Sequence, residues 1–505
     1  MRPFSLKSGL PSMRRFLPAT TSALFGLIML AGCKPVGPNY TRPTYTAPDV
    51  YKEAGASTVK VPLAPPPNPT GGGWQPATPA DGMLKGKWWE IYQDPQLNAL
   101  EDRIATYNQA VHQALETYLA AQDQEKAARS ALYPTLSAGP GITHYANSKN
   151  RPLVNATTST SYNDLTLVGT ASWEPDFWGR IRRTVEAAHV NAQADAADMA
   201  NISLSLQAAM ATDYFQLRGL DSETKLLKQT VTNLEQQLDL AKRLRAGGID
   251  TEADVAEAQT QLETVRAQLV DIGVARAQYE HAVGTIADYK LPTFSIPFSP
   301  LDLKLPQVPL GVPSQLLERR PDIAASERRT AAANAQIGIA VSAFYPTIDL
   351  TGTGGFESTH GGTWIQGPSA LWSLGAQATE LLFDAGQRHA LTDQARRQYE
   401  GQVSSYKGVI FLAFEDVEDQ LSSLRILEQE SVAEQKAVDS AQNSFDISNQ
   451  RFKGGVTSYV PVLTAEQTLI QNQRTAIDLQ TRQFVSSVAL VRSLGGGWDA
   501  SQLPK

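Results

Sequence analysis

The feature that most constrains the fold of this chain is an internal duplication. A segment that begins at Arg243 returns at Arg451, an offset of 451 − 243 = 208 residues. Two more landmarks recur in the same order at nearly that spacing: Tyr133-Pro134-Thr135 with Tyr345-Pro346-Thr347, and Phe177-Trp178-Gly179 with Phe383-Asp384-Ala385-Gly386. Solenoid repeats are only about 20 to 50 residues long. The sequence therefore predicts two copies of a domain-sized unit.

The N-terminus has the pattern of a secretory signal. A basic segment that ends at Arg15 precedes the apolar run 23–30, which is too short to cross a bilayer as a helix. Leu30-Ala31-Gly32-Cys33 follows, and this tetrapeptide resembles a bacterial lipobox, in which the cysteine carries lipid. Cys33 is the only cysteine, so it cannot form an internal disulfide. The alternative is an ordinary signal followed by an accidental cysteine. Lys34, rather than Asp, follows the cysteine, and this resembles the signal that sorts lipoproteins to the outer membrane.

The rest of the chain excludes several classes of protein. No run of 18 apolar residues follows the signal, so no transmembrane helix is expected. A net charge of −7 leaves no basic footprint for nucleic acid. Residues 33–86 are rich in Pro, Gly and Thr and predict an extended tether rather than a core.

Each copy contains two segments in which apolar and polar residues alternate. In the second segment of the first copy the two alternating groups are apolar (Leu165, Leu167, Ala171 and Trp173) and polar (Thr166, Thr170, Ser172 and Glu174). In the second segment of the other copy they are Trp372, Leu374, Ala376 and Ala378, and Ser373, Gly375, Gln377 and Thr379. Period two with one apolar face predicts half-buried strands. Such strands suit either a sheet on a soluble core or a membrane barrel. The pairs look isolated, with helices on both sides, which favours the barrel.

Four strands are too few to close a membrane barrel, because the smallest have about eight. Either the strands pack on something else or several chains share one barrel. Three chains would supply twelve strands.

The helical segments are very long. From Phe177 to Arg245 there is no proline and little glycine, and at about 1.5 Å per residue this stretch would reach roughly 100 Å. Apolar residues recur at steps of four and three: Leu227, Val231, Leu234, Leu238 and Ala241; Ala258, Leu262, Val265, Leu269 and Ile272; and Ile410, Phe414, Val417, Leu421 and Leu424. This spacing predicts coiled-coil packing. Each long helix should turn at a glycine pair, which predicts two helical hairpins.

At this point the residues resemble a known family, the outer-membrane efflux proteins, in the lipoprotein branch that serves tripartite drug pumps. The resemblance extends from Cys33 to about Trp498. The most specific stretches are Lys87-Trp88-Trp89 with Asp94-Pro95-Gln96-Leu97, Leu316-Leu317-Glu318-Arg319-Arg320-Pro321-Asp322-Ile323, Ala332-Ala333-Asn334-Ala335-Gln336-Ile337-Gly338, and Leu494-Gly495-Gly496-Gly497-Trp498.

The resemblance implies a mixed α and β channel. Three copies would form a twelve-stranded β-barrel in the outer membrane, continued into the periplasm by a twelve-helix α-barrel. The implied partners are a periplasmic adaptor protein and an inner-membrane transporter of the RND type. The implied function is that of a passive duct which exports drugs, solvents or other small toxic compounds from a Gram-negative cell. The residues leave open the export of metal cations or proteins, and the different class of a structural coiled-coil lipoprotein.

These patterns divide the chain into six parts. They are the signal peptide 1–32, the lipidated tether 33–86, the first repeat 87–290, a linker 291–312, the second repeat 313–498 and a tail 499–505.

Function is expected to concentrate at the two hairpin tips. In a closed member of the family the tips bend inward and are latched by polar contacts, and threefold symmetry would repeat each side chain as a ring. The expected gate residues are Asp250, Glu252, Asp254, Arg451, Lys453, Thr457, Tyr459, Pro461 and Thr464; the expected adaptor-docking residues are Arg243, Gly247, Gly248, Gly454, Gly455 and Val456. The alternative is that the charges are merely solvated. The family usually has acidic residues at Pro461 and near Thr464, so the second constriction should be less acidic here.

No pattern in the sequence predicts catalysis. The six histidines lack metal-ligand spacing, and no phosphate-binding loop or nucleophile–base pair is evident. The Arg319–Asp322 group is interpreted as structural, with Asp322 capping a helix and Arg319 or Arg320 pairing with a carboxylate. We therefore expect neither enzymatic activity nor a cofactor.

Overall fold

The structure is a computed structural model, and it describes residues 34–53, 86–148, 161–248, 251–310 and 313–504. The chain divides into two compact units. The first comprises Met1–Tyr40, Lys126–Ala187 and Asn334–Arg396; the second comprises Thr41–Glu125, Ala188–Ala333 and Arg397–Lys505. The signal peptide, Cys33, most of the predicted tether and Asp250 lie outside the described residues.

The first unit contains one four-stranded antiparallel sheet. Its strands are β1 (Thr135–Ala146), β2 (Ser161–Trp173), β3 (Thr347–Ser358) and β4 (Ala370–Thr379), in the order β1-β2-β3-β4. The four strands predicted from alternation are thus confirmed. The expectation of isolated strand pairs is wrong, because β2 pairs with β3 from Leu165↔Ser358 to Trp173↔Leu350.

A glycine permits that junction between the two repeats. A Cβ atom at Gly355 would lie 2.1 Å from the carbonyl oxygen of Leu167, so no side chain fits there. Strands β2 and β3 can therefore approach closely at this point only because residue 355 is glycine.

Helices account for most of the remaining described residues. In chain order they are α1 (Pro95–Tyr107), α2 (Gln109–Ser130), α3 (Arg180–Ala246), α4 (Glu252–Ile286), α5 (Leu316–Arg319), α6 (Pro321–Ser342), α7 (Gln387–Lys453) and α8 (Val460–Ser493). Helices α3 and α7 have 67 residues each. No helix in the described ranges is both long and apolar enough to cross a membrane.

The main core of the second unit is aromatic. Tyr92 and Phe484 flank Phe215, with ring centroids 4.9 and 4.8 Å from that of Phe215. Trp88 and Trp89, the tryptophan pair of the sequence motif, are buried in the same cluster. The Asp94 side chain accepts from the backbone N–H groups of Gln96 and Leu97 at 2.8 and 3.2 Å and so caps α1. The motif therefore combines a helix start with its core contacts.

The predicted seam of the first hairpin is confirmed. Leu227, Leu234, Leu238 and Ala241 on α3 are buried in one cluster with Ala258, Leu262, Val265 and Ile272 on α4. In the second repeat, Ile410 and Val417 on α7 are buried, and Phe414 is partly buried against them. A 3.5-residue spacing keeps one stripe facing its neighbour along the whole contact, which explains why the pattern predicts burial.

Residues 34–53 contribute more than the predicted tether. Tyr45 packs on Phe411 and Phe414, with ring centroids 5.6 and 5.8 Å apart. Tyr51 is buried with Leu316. Isolated aromatic anchors in a proline-rich segment have no period, so the composition gave no sign of this packing.

Candidate functional site: the sheet faces and the hairpin tips

The strand register places apolar side chains on one face of the sheet. Leu136, Ala171, Gly352 and Leu374 form one cross-strand row, and Pro140, Leu167, Phe356 and Ala370 form another. Paired residues point to the same side of a sheet. Many of these side chains are strongly exposed within one chain, including Leu136, Ile142, Trp372 and Leu374. We call this surface the apolar sheet face.

The opposite surface is the polar sheet face. The row adjacent to the first consists of Ser137, Thr170, Thr353 and Ser373. Successive residues of a strand alternate between faces. Asp164, Asp349 and Glu357, the charged residues of the four described strands, therefore all lie on the polar sheet face. The sheet is apolar on one side and hydrophilic on the other, as predicted from the sequence.

Both edges of the sheet are open in a single chain. Strand β1 pairs only with β2, and β4 pairs only with β3, among the strands that the structure describes. An open edge presents unpaired backbone N–H and C=O groups. An exposed apolar face with two open edges is incomplete on its own.

The segment that follows Cys33 is held by close contacts within the first unit. Val36 N–H donates to the Trp178 carbonyl at 2.9 Å, and the Asn334 amide donates to the Pro38 carbonyl at 3.1 Å. A Cβ atom at Gly179 would lie 2.5 Å from the Cα of Pro35. Cys33 itself is outside the described residues, but the chain just after it has a defined position.

The first hairpin tip connects α3 to α4 through Gly247 and Gly248. Gly248 has φ +74°, which ends α3 as predicted. Arg243, assigned to docking, is exposed and pairs with Asp239 at 2.7 Å. The predicted gate residues have local partners as well: Glu252 pairs with Arg245, and the Asp254 carboxylate forms a capping box with Thr251, accepting from the Thr251 N–H at 3.1 Å.

The second tip connects α7 to α8 through Gly454 and Gly455. Gly455 has φ +71°, and the exposed Val456 lies beside it. Pro461 is the second residue of α8, where proline is tolerated. The Thr464 hydroxyl donates to the Val460 carbonyl at 3.1 Å, whereas the Thr457 hydroxyl is buried and finds no hydrogen-bond partner in the part of the chain that the structure describes.

The two basic side chains at the end of α7 have no ion-pair partner among the described residues of one chain. Arg451 and Lys453 are both exposed, and neither lies within ion-pair distance of Glu252 or Asp254. A contact between the acidic and the basic tip therefore stays a prediction for the assembled protein.

Gln237 and Glu466, which no sequence pattern singled out as site residues, lie close to the second tip and are linked to Tyr459. Tyr459, a predicted gate residue, is buried, and its hydroxyl donates to the side-chain carbonyl of Gln237 on α3. The amide of Gln237 donates in turn to the Glu466 carboxylate at 3.1 Å. On α8, Val462 and Ile470 belong to a buried apolar stripe, and Glu466 lies between them where an apolar residue is expected. A charged residue at such a position is the sequence signal that could have identified Glu466.

In the Arg319–Asp322 group, the predicted pairing of an arginine with a carboxylate is confirmed, whereas the predicted helix cap is wrong. Arg320 pairs with Asp322 at 2.7 Å and with Asp416 at 3.0 Å. Burial acts to lower the pKa of Arg320, but the two carboxylates outweigh it and raise the pKa. Asp322 is not the N-cap of α6, because the helix begins at Pro321 and the Asp322 side chain accepts from the next N–H, that of Ile323, at 2.9 Å.

One protein family matches most of the chain. The model of the outer membrane efflux protein family matches residues 100–287 and 312–496. The two matched stretches each contain one strand pair and one helical hairpin of this structure. The family is one of channels, not of enzymes.

Individual relatives agree with that match. The solvent efflux pump outer membrane protein SrpC of Pseudomonas putida is 30% identical over 481 residues, which covers 95% of this chain and 98% of the relative. The pyoverdine export outer membrane protein OpmQ of Pseudomonas aeruginosa is 28% identical and covers 82% of this chain and 88% of its own length.

A solved structure gives the same result. The outer-membrane channel OprN superposes with a TM-score of 0.81 at 25% identity, over 92% of this chain and 99% of that channel. The fold is thus shared over nearly the full length of the chain. The chain belongs to the outer membrane efflux protein family and is an outer-membrane efflux protein.

Proposed function

We propose that three copies of this chain form a closed twelve-stranded barrel in the outer membrane. The observation that carries the proposal is the sheet with one exposed apolar face and two open edges. Only a closed barrel satisfies every strand edge in a bilayer, and four strands are too few to close one. Pairing β4 of one chain with β1 of the next removes both edges, turns the apolar sheet face to lipid and leaves the polar sheet face around water.

The four long helices of each chain would form a twelve-helix periplasmic duct. Its support is the pair of helical hairpins with buried seams, whose exposed surfaces carry polar residues together with apolar ones such as Val270, Phe411 and Leu412. Polar stretches of helix surface suit a wall with water beside it. The duct performs no chemistry, and cargo selection belongs to the inner-membrane transporter.

Lipidation at Cys33 would attach the chain to the outer membrane. Val36, three residues after Cys33, is held against Trp178, which follows the end of β2 by five residues. A lipid on Cys33 would therefore lie near the end of the sheet, where a barrel meets the membrane surface. This placement is what an acyl chain in the inner leaflet requires.

The hairpin tips are proposed to dock a periplasmic adaptor that connects the duct to an RND-type transporter. The exposed Val456 beside Gly454 and Gly455 offers an apolar contact at a sharp turn. The names of the relatives cite solvents and pyoverdine, so we propose small organic compounds as cargo. Metal-cation or protein export is the alternative.

A direct test is assembly and conductance of the purified full-length protein. We expect extraction from membranes only by detergent, a trimer on gels that dissociates on heating, and channels in planar bilayers. A monomer released by salt, without channel activity, would instead identify a structural coiled-coil lipoprotein.

The resting duct is proposed to be latched between neighbouring chains by Arg451 and Lys453 with the acidic first tip. Exposed ion pairs are worth only about 0 to 1 kcal/mol each, but threefold repetition multiplies their effect on one aperture. The informative variant removes the basic side, Arg451→Ala with Lys453→Ala, because changing Asp254 would also break its capping box. We expect higher single-channel conductance. Unchanged conductance at all salt concentrations would mean that packing closes the duct.

A further inference from the structure

Glu466 is a carboxylate inside the apolar interior of the helical hairpins. Its side chain belongs to a residue only 4% exposed, and it projects from α8 among Val462, Leu463 and Ile470, which are buried in one cluster. One carboxylate oxygen accepts from the Gln237 amide at 3.1 Å; the other is buried and has no hydrogen-bond partner among the described residues. A buried charge without a counter-charge is costly, so this group favours its neutral form.

The contact joins the two hairpins of one chain. Gln237 lies on α3 in the first hairpin, whereas Glu466 lies on α8 in the second, and Tyr459 is the N-cap residue just before α8. The Gln237 amide is oriented at both ends, because its N–H group donates to Glu466 while its oxygen accepts from the Tyr459 hydroxyl. The three side chains thus form one directed chain of hydrogen bonds.

Glu466 forms no ion pair with the ionisable residues that the structure describes. On α3, Asp239 and Arg243 pair with each other at 2.7 Å. On α4, Glu257 is exposed and acts on the Tyr459 hydroxyl, whose pKa is raised mainly by burial. On α7, Arg451 and Lys453 are exposed, and Phe452 between them is the residue that joins the cluster. Burial raises the pKa of Glu466 to about 7, although the Gln237 amide opposes the shift.

We propose that Glu466 and Gln237 form a proton-dependent clasp, which holds the two hairpins of a chain together when the carboxyl is protonated and loosens when it is ionised. The inference rests on the proposed duct, because the hairpins it fastens would be the walls of the closed aperture. The clasp acts within each chain, so it is separate from a latch between chains.

The direction of the pH effect follows from proton binding. In the clasped state the pKa of Glu466 is about 7, whereas a solvated glutamate has its ordinary value of 4.5. Between these two values the clasped state binds more protons than the open one. Acid therefore favours the clasp, and raising the pH from about 4.5 to 7 opens it; above 7 both states are ionised and no further change is expected.

The test measures the open fraction of the purified full-length trimer in planar bilayers between pH 5 and pH 8. We expect the wild-type open fraction to rise by about tenfold or more, since each unit of pKa difference is a factor of ten. Glu466→Gln keeps the shape and the hydrogen-bond contact without a charge, and should stay mostly closed at every pH. Asp478→Asn, an exposed carboxylate on the same helix, is the matched control and should retain the wild-type profile.

A second measurement separates this proposal from the proposed function. Amide hydrogen exchange around Gln237 and Glu466, corrected for the intrinsic effect of pH, should increase as the pH rises in wild-type protein and not in Glu466→Gln. Identical pH profiles of wild type and Glu466→Gln, in exchange or conductance, overturn the clasp. Absence of channels at any pH, with the exchange difference present, would overturn the duct and leave the clasp standing.

Discussion

At the scale of single residues, Gly179 is subject to two independent constraints. Its φ of +83° lies in the left-handed region, and a Cβ atom there would meet Pro35 of residues 34–53, here called the N-terminal arm, at 2.5 Å. Its counterpart in the second repeat, Gly386, has φ +89° but no neighbouring atom within 4 Å of a Cβ. The duplication therefore supplies a matched pair with the same backbone conformation and different surroundings.

We expect Gly179→Ala to release the N-terminal arm and Gly386→Ala to leave it in place. Both variants carry backbone strain of roughly 1 to 2 kcal/mol, because alanine adopts positive φ with difficulty. Only Gly179→Ala also displaces Pro35. Limited proteolysis of residues 34–53 in the detergent-solubilised protein provides the measurement. Equal cleavage of the arm in the two variants would show that the contact with Pro35 does not hold it.

At the scale of elements, the alternation of side chains along strand β4 determines which residues lie on each face of the sheet. Leu374 occupies a row with Leu136, while Gln377 lies on the other side, paired with Asp349. A shift of one residue in the register would exchange the faces of the whole strand. The register therefore decides which side chains are proposed to meet lipid.

We expect Leu374→Arg to impair trimer assembly and Gln377→Arg to permit it. A charge on the lipid side of a barrel near the bilayer midplane costs roughly 2 to 4 kcal/mol, whereas the water-filled side tolerates it. The heat-sensitive trimer on a gel measures assembly, and the altered conductance of Gln377→Arg confirms its place in the lumen. Equal tolerance of both substitutions would contradict the assignment of the two faces.

At the scale of the whole molecule, the membrane attachment is proposed to have two parts, a lipid on Cys33 and the barrel. Cys33→Ser should abolish labelling by a radioactive fatty acid. One acyl chain gives only marginal membrane binding, so the variant should stay in the outer-membrane fraction. Its complete release into the periplasm would show that the strands do not span the membrane, and retained label would place the lipid elsewhere.

Local periodicity was enough to predict the elements. The spacing of apolar residues predicted the strands around Leu165 and Leu374 and the seam at Leu234 and Leu262. The position of the glycine pairs predicted the turns at Gly248 and Gly455. These signals are readable because each depends on neighbours within a few residues along the chain. The resemblance of the motifs then indicated the family, which the comparison over residues 100–287 and 312–496 confirmed.

Contacts between distant parts of the chain could not be predicted from local patterns and were seen only in the folded protein. The pairing of β2 with β3 joins Leu165 to Ser358. Tyr51 of the N-terminal arm packs with Leu316, although no periodic pattern in the arm indicates this contact. Glu466 interrupts an apolar stripe of α8, but its partner Gln237 lies 229 residues away in the sequence. Whether a segment forms a strand, a helix or a turn could be predicted from the sequence, because that depends on local geometry. Which segments meet depends on close packing between surfaces far apart in the chain, and no local pattern encodes that choice.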